Sequence, residues 1–414
     1  MPSAPAARQG MTPAMVVLML TVLLGIQPVT TDLYLPALPT LQRDLGATIG
    51  AAQLTMSALI ICFGLAQLVC GPLADRYGRR PVLLSGLALY TLASLLAALA
   101  PTMGWLIGWR ALQGAAMAAA VTCGRSIVRD LFEPQEGARV MSRALGGLGT
   151  IAMVCPLLGG VVAQWLHWRA ALLTVTLFGA AALAIVAWQF KETLAQRNPQ
   201  ATQLAPLLAN WTQIARNPTF VAYTLLLCMT YGGLFIVLAG SSFVFIEVLG
   251  LSRLHFGVIL ASNSFIYILG TVLCRRLLAR CGLRRTVAIG GGLSLAGGAT
   301  LAAFSWAGWH ETTLWAVVAP MWMYALGHGI HQPCGQAGAV GPFRDKAGTA
   351  ASLSGFAMMT TAFAIGLWLG RSLNGTVYPF TLGIGVLSMG VAAVAWTLVQ
   401  RHGDPSPVAA ALPA

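Results

Sequence analysis

Charge is what this chain has least of. Asp, Glu, Lys and Arg together make up 8% of its 414 residues, and the acids number 11. A soluble chain averages about 25% charged residues. So few charges do not cover a water-facing surface of this size, which excludes soluble, disordered and coiled-coil classes. Metal-site and redox spacings are missing too. None of the eight cysteines (Cys62, Cys70, Cys123, Cys155, Cys228, Cys274, Cys281, Cys334) forms a CxxC pair. Neither a zinc site nor a disulfide framework is visible, and buried packing is the reading for most of them. There is no GxxxxGK[ST] string, so no ATP-driven engine is encoded. There is no HExxH or other cluster of His, Asp and Glu of the kind a membrane enzyme needs.

What is there is apolar. Hydrophobic residues reach 57%, with 46 Gly and 12 Trp, and mean hydropathy is +0.76. The apolar runs are continuous rather than alternating, which selects membrane helices over a barrel. Runs of roughly 20 residues suit a bilayer core. Twelve are found near 13–33, 51–73, 81–100, 104–126, 139–165, 168–190, 218–245, 254–277, 286–308, 311–338, 346–371 and 376–399. The first is too long for a cleaved signal peptide. The fold class expected is therefore an all-α membrane protein of twelve transmembrane helices.

The net charge of +13 and pI of 9.9 would suggest nucleic acid in a soluble chain. Sorted by loop, the charge says something else. With the N-terminus inside, Arg8, Arg76, Arg79, Arg80, Arg125, Arg129, Arg139, Arg143, Lys191, Arg197 and Arg216 fall on the inner side. Arg275, Arg276, Arg280, Arg284, Arg285, Arg344, Lys346 and Arg401 join them. Only Arg43, Arg169, Arg253 and Arg371 fall outside, and Arg110 lies within a span. This bias places both termini in the cytoplasm and accounts for the pI with no nucleic acid. Trp105, Trp165, Trp168, Trp306, Trp309 and Trp315 sit at outer ends and read as an interfacial belt.

The longest polar connection, 191–217, divides the chain. The expected organisation is a first six-helix half over 1–190, a cytoplasmic linker over 191–217, a second half over 218–400 and a cytoplasmic tail over 401–414. An internal repeat agrees. The loop Gly71–Val82, GPLADRYGRRPV, is echoed by Ala279–Val287, ARCGLRRTV, with Gly78 matching Gly282 about half a chain away. Two pseudo-symmetric six-helix halves are a plan of secondary transporters.

The first copy of the loop, Gly71 to Pro81, carries the strongest motif. Gly71 permits close helix approach, and Gly78 with Pro81 suits a tight turn. Asp75 is the one acid there, placed to pair with an arginine or to sit at a helix N-terminus. Arg76, Arg79 and Arg80 either set topology alone or join a latch that closes the cytoplasmic side. The string resembles the loop signature of the major facilitator superfamily between its second and third spans.

Arg110, in Trp109-Arg110-Ala111-Leu112-Gln113-Gly114, is a cation inside a span and marks a pathway or relay by default. The competing reading is an arginine snorkelling to the outer interface. The string resembles the fourth-span motif of proton-coupled facilitators, which implies a part in proton coupling. Asp32 ends the first span in Thr31-Asp32-Leu33-Tyr34-Leu35-Pro36. A carboxyl is driven toward its neutral form by apolar surroundings and toward its charged form by a nearby cation. A site alternating between the two loads and releases a proton; the bland reading is an interfacial cap. This string is similar to the first-span signature of the Bcr/CflA subfamily of drug:proton antiporters, and the whole chain is compatible with it. Some relatives carry a second acid two turns earlier, where this chain has Leu24.

Cys155-Pro156-Leu157-Leu158-Gly159-Gly160 places a kinking proline before two small residues. It resembles the GPxxGG antiporter motif, with Cys155 and Ile151 standing where glycines are usual. In span ten, His328 and His331 share a face, with no third ligand for a metal. Gln113, Tyr231, Asn263, Trp322, Tyr324 and His328 are candidates to line a central cavity, each against the alternative of packing.

The resemblance implies a major facilitator fold and alternating access, with small amphipathic antibiotics, chloramphenicol-like or bicyclomycin-like, exported against protons. It implies no cofactor beyond the proton gradient, no catalytic residue, a monomer and the bacterial inner membrane. A small-metabolite facilitator with drug export as a side activity is the alternative; a channel and a membrane enzyme are the more distant ones.

Overall fold

A computed structural model describes residues 12–194, 196–311, 313–343 and 346–403. Arg8 and Arg344 of the basic set, and most of the tail over 401–414, lie outside the described residues.

The apolar runs become helices, and polar residues just ahead of them supply the caps. Thr12 accepts from Met15 N–H at the start of α1 (Pro13–Thr31), and Thr48 caps α3 (Ile49–Tyr77). Thr102 caps α5 (Met103–Leu131) and Asn217 caps α9 (Pro218–Ser242). Each cap satisfies an N–H that an apolar environment leaves unpaired. The short α2 (Leu38–Asp44) follows α1. The first half continues with α4 (Arg79–Ala98), α6 (Pro134–Trp165) and α7 (Trp168–Gln189). The second half adds a π-helical turn at Phe243–Val248, α10 (Arg253–Trp306), α11 (Trp315–Val340), α12 (Ala347–Ser372), α13 (Tyr378–Trp396) and the short α14 (Leu398–His402).

Among the described residues, ten helical segments are long and apolar enough to cross a bilayer. One of them, α10, provides two passes. The sequence reading separates spans near 254–277 and 286–308, whereas the helix runs through and bends at Gly282 (φ 73°, ψ 177°). Only glycine takes that backbone without strain. The twelfth pass is α11, less apolar than the others because it carries Gly, His, Gln and Pro.

The halves repeat one packing scheme. In the first, α5 lies against α3 and α4, α4 against α7, and α1 against α6. In the second, α11 and α13 lie against α10, and α12 against α9. Twelve passes among the described residues put Thr12 and Gly403 on one face, called the terminal face; the other is the distal face. The halves meet along α3–α12 and α6–α10.

Three further features depart from the sequence reading. The 191–217 connection holds an unforeseen helix, α8 (Leu204–Ala215). Span four extends past 126, bringing Asp130 into α5. Trp168 is not in the interfacial belt: it is 1% exposed, with the Arg169 guanidinium 4.3 Å from its ring centre. It opens α7 on the inward side. Trp105, Trp165, Trp306, Trp309 and Trp315 are exposed at helix ends.

Candidate functional site

The first span breaks where the sequence places its acid. Pro28, Pro36 and Pro39 remove N–H donors around the end of α1, so an uninterrupted ladder does not form. Asp32 N–H still reaches Pro28 O at 2.8 Å, and the chain then turns into a 3₁₀ segment at Leu35–Ala37. Asp32 is half-buried, and its carboxylate accepts from the Thr31 hydroxyl at 2.6 Å. Two other helices present groups to it. Tyr231 on α9 lies close to Gln27 and Asp32, and Cys155 on α6 lies close to Asp32. Thus Asp32 of the first half and Tyr231 of the second lie near one another at the boundary between halves.

Arg110 is wholly buried and does not snorkel. Its two terminal nitrogens donate to Thr30 O at 3.2 and 3.1 Å, and one also donates to Gln113 Oε1 at 2.7 Å. The guanidinium stands 4.5 Å from the Tyr34 ring centre. Gln113 in turn donates to Ser94 Oγ at 2.6 Å. Around this core, Thr30 pairs with Tyr90 and Tyr34 with Thr55. A cation at the last carbonyls of a helix is held by the helix dipole, so Arg110 fixes the broken end of α1. Among the described residues, Arg110 and Asp32 share no hydrogen bond or ion pair; Arg110 bonds the Thr30 carbonyl and Asp32 the Thr31 hydroxyl. Gln113 sits inside the first half as part of this network.

The Pro156–Gly160 segment makes close contacts on two sides. A β-carbon at Gly159 would collide with the Leu33 carbonyl, next to Asp32. One at Gly160 would lie 2.8 Å from Arg253 O, and one at Gly257 would lie 2.5 Å from Pro156 O. The segment thereby lets α6 abut both the backbone just past α1 and α10 of the opposite half. The departure from the usual motif at Ile151 is matched by a gap opposite: its Cδ1 occupies the space a β-carbon on Gly25 would need.

The distal face is shut across the halves. Arg43 pairs with Glu247 at 3.0 Å, Gln53 donates to Ala239 O at 2.5 Å, and Arg253 donates to Ala163 O at 3.1 Å. A β-carbon at Gly50 would stand 3.0 Å from Gly370 O.

At the terminal face, Asp75 pairs with Arg79 at 2.5 Å, and Arg79 also pairs with Asp130 at 3.1 Å. The acid at the N-terminus of α4 is not Asp75. Glu192 accepts from the N–H groups of Arg79 at 2.9 Å, Arg80 at 3.1 Å, and Thr193 and Leu194 at 3.0 Å. Gly78 (φ 108°) makes the turn, and a β-carbon there would strike the Glu192 carboxylate. Arg80 ties to Phe190 O and Ala187 O, and Arg76 to Thr202 Oγ1 at 2.6 Å. Gly71 faces Thr122 Cγ2 with room for ordinary contact. Sequence reasoning missed Asp130 and Glu192. The available signal for Glu192 was an acid directly at the end of span six, in a segment otherwise basic.

In the second half, Tyr324 and His328 both turn toward α9. Tyr324 donates to Thr230 O at 2.9 Å, and His328 Nδ1 bonds Thr230 Oγ1 at 2.9 Å, with its ring 5.4 Å from that of Tyr267. Trp322 donates to Ser262 Oγ at 3.0 Å. Asn263 is buried, and its Oδ1 has no protein partner. His331 bonds Val287 O at 3.2 Å. Among the described residues no three His, Cys, Asp or Glu side chains gather as a metal site.

The comparisons agree with this architecture. The chain is 30% identical over 378 residues to a chloramphenicol resistance protein of Pseudomonas aeruginosa, covering 88% of this chain and 86% of that protein. It is 28% identical to multidrug resistance protein D of Escherichia coli (strain K12), covering 82% and 84%. It is 27% identical to a bicyclomycin resistance protein homolog of Haemophilus influenzae, covering 64% and 67%. Among solved structures, a D-xylose-proton symporter superposes with TM-score 0.71 at 13% identity, covering 93% of this chain and 97% of that one. That likeness bears on the fold alone. The profile described as Major Facilitator Superfamily matches residues 20–367. With twelve passes in two repeated halves, a glycine turn on the Gly71–Pro81 loop and this match over most of its length, the chain is a transporter and belongs to the major facilitator superfamily.

Proposed function

We propose that the chain exports small, amphipathic, neutral drugs of the chloramphenicol or bicyclomycin kind in exchange for protons. The observation that carries this reading is the placement of Asp32: a half-buried carboxylate at a helix break, without a cationic hydrogen-bond partner among the described residues, close to Tyr231 of the other half. Charge there is expensive in a low-dielectric site, so an acid in the pathway serves as a proton carrier by default. Names of the relatives support the substrate class, since they include chloramphenicol, bicyclomycin and multidrug resistance.

In this reading residues 1–190 and 218–400 rock about the central site, with 191–217 as linker and 401–414 as tail. Both termini face the cytoplasm of a bacterial inner membrane, and the monomer is the working unit. The distal closure belongs to the cytoplasm-facing state, in which drug binds. Opening the distal face exposes Asp32 to protons, and its neutralisation accompanies drug release. Arg110 contributes by holding the α1 break in register rather than by pairing with Asp32. Asp75, Arg76, Gly78, Arg79 and Arg80 form a rigid block that seats against the second half when the cytoplasmic side closes. Tyr231, Asn263 and Trp322 are the groups left to meet drug.

The test is chloramphenicol uptake into inverted vesicles under an imposed pH gradient, wild type against Asp32→Asn. Gradient-dependent uptake is expected for wild type and its loss for the variant. Uptake that survives collapse of the gradient sinks the antiport reading. Normal coupling in Asp32→Asn moves the proton elsewhere.

A further inference from the structure

Helix α9 carries Thr230-Tyr231-Gly232-Gly233 at its middle. Two successive glycines weaken a helix by about 1 kcal/mol each relative to alanine, so this is the most yielding point of α9. It is also the point that faces Asp32. The weak segment is gripped from one side by α11. Tyr324 and His328, one turn apart, close on the same residue: the Tyr324 hydroxyl on the Thr230 carbonyl and the His328 ring on the Thr230 hydroxyl, both at 2.9 Å. Gly233 is what admits Tyr324, since a β-carbon there would collide with its hydroxyl. On the next face, Gly232 leaves room for Ile365 Cδ1 of α12, 2.5 Å from where a β-carbon would stand. Thr230, Tyr324 and His328 are all buried. Such bonds are costly to leave unmade.

Consecutive residues of a helix point about 100° apart. A clamp on Thr230 therefore sets the direction of Tyr231, which reaches out of the second half to Gln27 and the Asp32 region. We propose that Thr230, held at its hydroxyl by His328 and at its carbonyl by Tyr324, is a positioning residue. It fixes the rotation of α9 at its glycine pair and so sets Tyr231 against the first half. The proposal rests on the reading of Asp32 as the coupling site, and it gives His328 and Tyr324 a task other than touching drug. Events at the half-boundary then reach α11 through a rigid side-chain link.

The experiment has two arms. In reconstituted vesicles under an imposed pH gradient, chloramphenicol uptake is measured for wild type, Thr230→Val, Thr230→Ser and His328→Leu. Thr230→Val keeps the shape and removes the hydroxyl. It is expected to lower turnover about tenfold, the worth of one such bond, with KM within about twofold of wild type. Thr230→Ser restores turnover. In the second arm a Gln27→Cys/Tyr231→Cys pair is bridged with a bifunctional thiol reagent long enough to span the two replaced side chains and the cross-link mapped by mass spectrometry, with Thr230 intact or changed to Val. Slower cross-linking is expected with valine. The proposal is overturned if Thr230→Val matches wild type in both arms, or if Thr230→Ser is as impaired as Thr230→Val. Should wild type show no uptake, the transport reading falls, while the cross-linking arm still decides the clamp. Should His328→Leu fail to accumulate, the threonine pair decides alone.

Discussion

A guanidinium buried in a bilayer has five donors to place. Arg110 spends two of its nitrogens on one carbonyl, Thr30 O, and shares one of these with Gln113. That geometry needs a planar fork, so lysine is a poor substitute. Arg110→Lys and Arg110→Gln are both expected to cost about 1–3 kcal/mol, the penalty for stranding buried polar partners, read by thermal unfolding in detergent. A full-stability lysine variant would mean that the charge alone suffices. Glu192 makes the complementary case at the terminal face. Its carboxylate takes the free N–H groups at the start of α4, and Glu192→Gln is expected to cost about 1–2 kcal/mol. Gly78→Ala is expected to cost at least as much, through both its positive φ and its clash with Glu192; wild-type stability for either substitution would show that the carboxylate does not anchor the turn. These residues also mark how far a sequence can be read. Asp32, Arg110 and the Gly71–Pro81 string were legible because each is odd within its own neighbourhood: an ion in an apolar run, or glycine and proline at fixed turn positions. Asp130 and Glu192 were not, because their meaning lies in Arg79 and the α4 N-terminus, far away in sequence.

At the scale of elements, apolar length located all twelve passes, while the bend in α10 and the helix α8 escaped it. The first was hidden because the basic stretch around Gly282 looks like a loop, although one glycine lets the helix turn through it. The second was hidden between prolines, in a connection read as polar throughout. The Pro156–Gly160 segment was legible as small and kinked, but its targets were not. Its glycines seat α6 against Leu33 O and Arg253 O. Gly160→Leu is expected to wedge α6 from α10, an overpacking of about 1–3 kcal/mol, and to shift the resting population toward an open distal face. Spin-label distances across that face measure the shift; an unchanged distribution would show that α6–α10 contact does not hold the closure.

For the whole molecule, the distal closure combines two side-chain-to-carbonyl bonds and close backbone packing with the exposed Arg43–Glu247 pair, its one ion pair across halves among the described residues. An exposed pair contributes about 0.2–1 kcal/mol, at most about a fivefold change in the balance of states. Arg43→Glu is expected to open the distal face by no more than that, more at low salt. Adding Glu247→Arg should restore the balance. An effect independent of salt would assign the change to packing instead.

The two anchored ends of the connection between halves have a mechanical consequence. Glu192 is bolted to the start of α4, Asn198 N–H to Asp75 O, and Thr202 to Arg76. Gln213 on α8 is joined to Lys346 at 2.7 Å, at the foot of α12. What passes for a long, slack tether is therefore fastened to one body as far as Thr202 and to the other from α8 onward. The free joint is a matter of a few residues around Gln203, so in the proposed rocking the swing of one half against the other is leashed by a link far shorter than its sequence length suggests. Lengthening the chain at that joint is the change that would loosen the stroke while leaving every helix as it is.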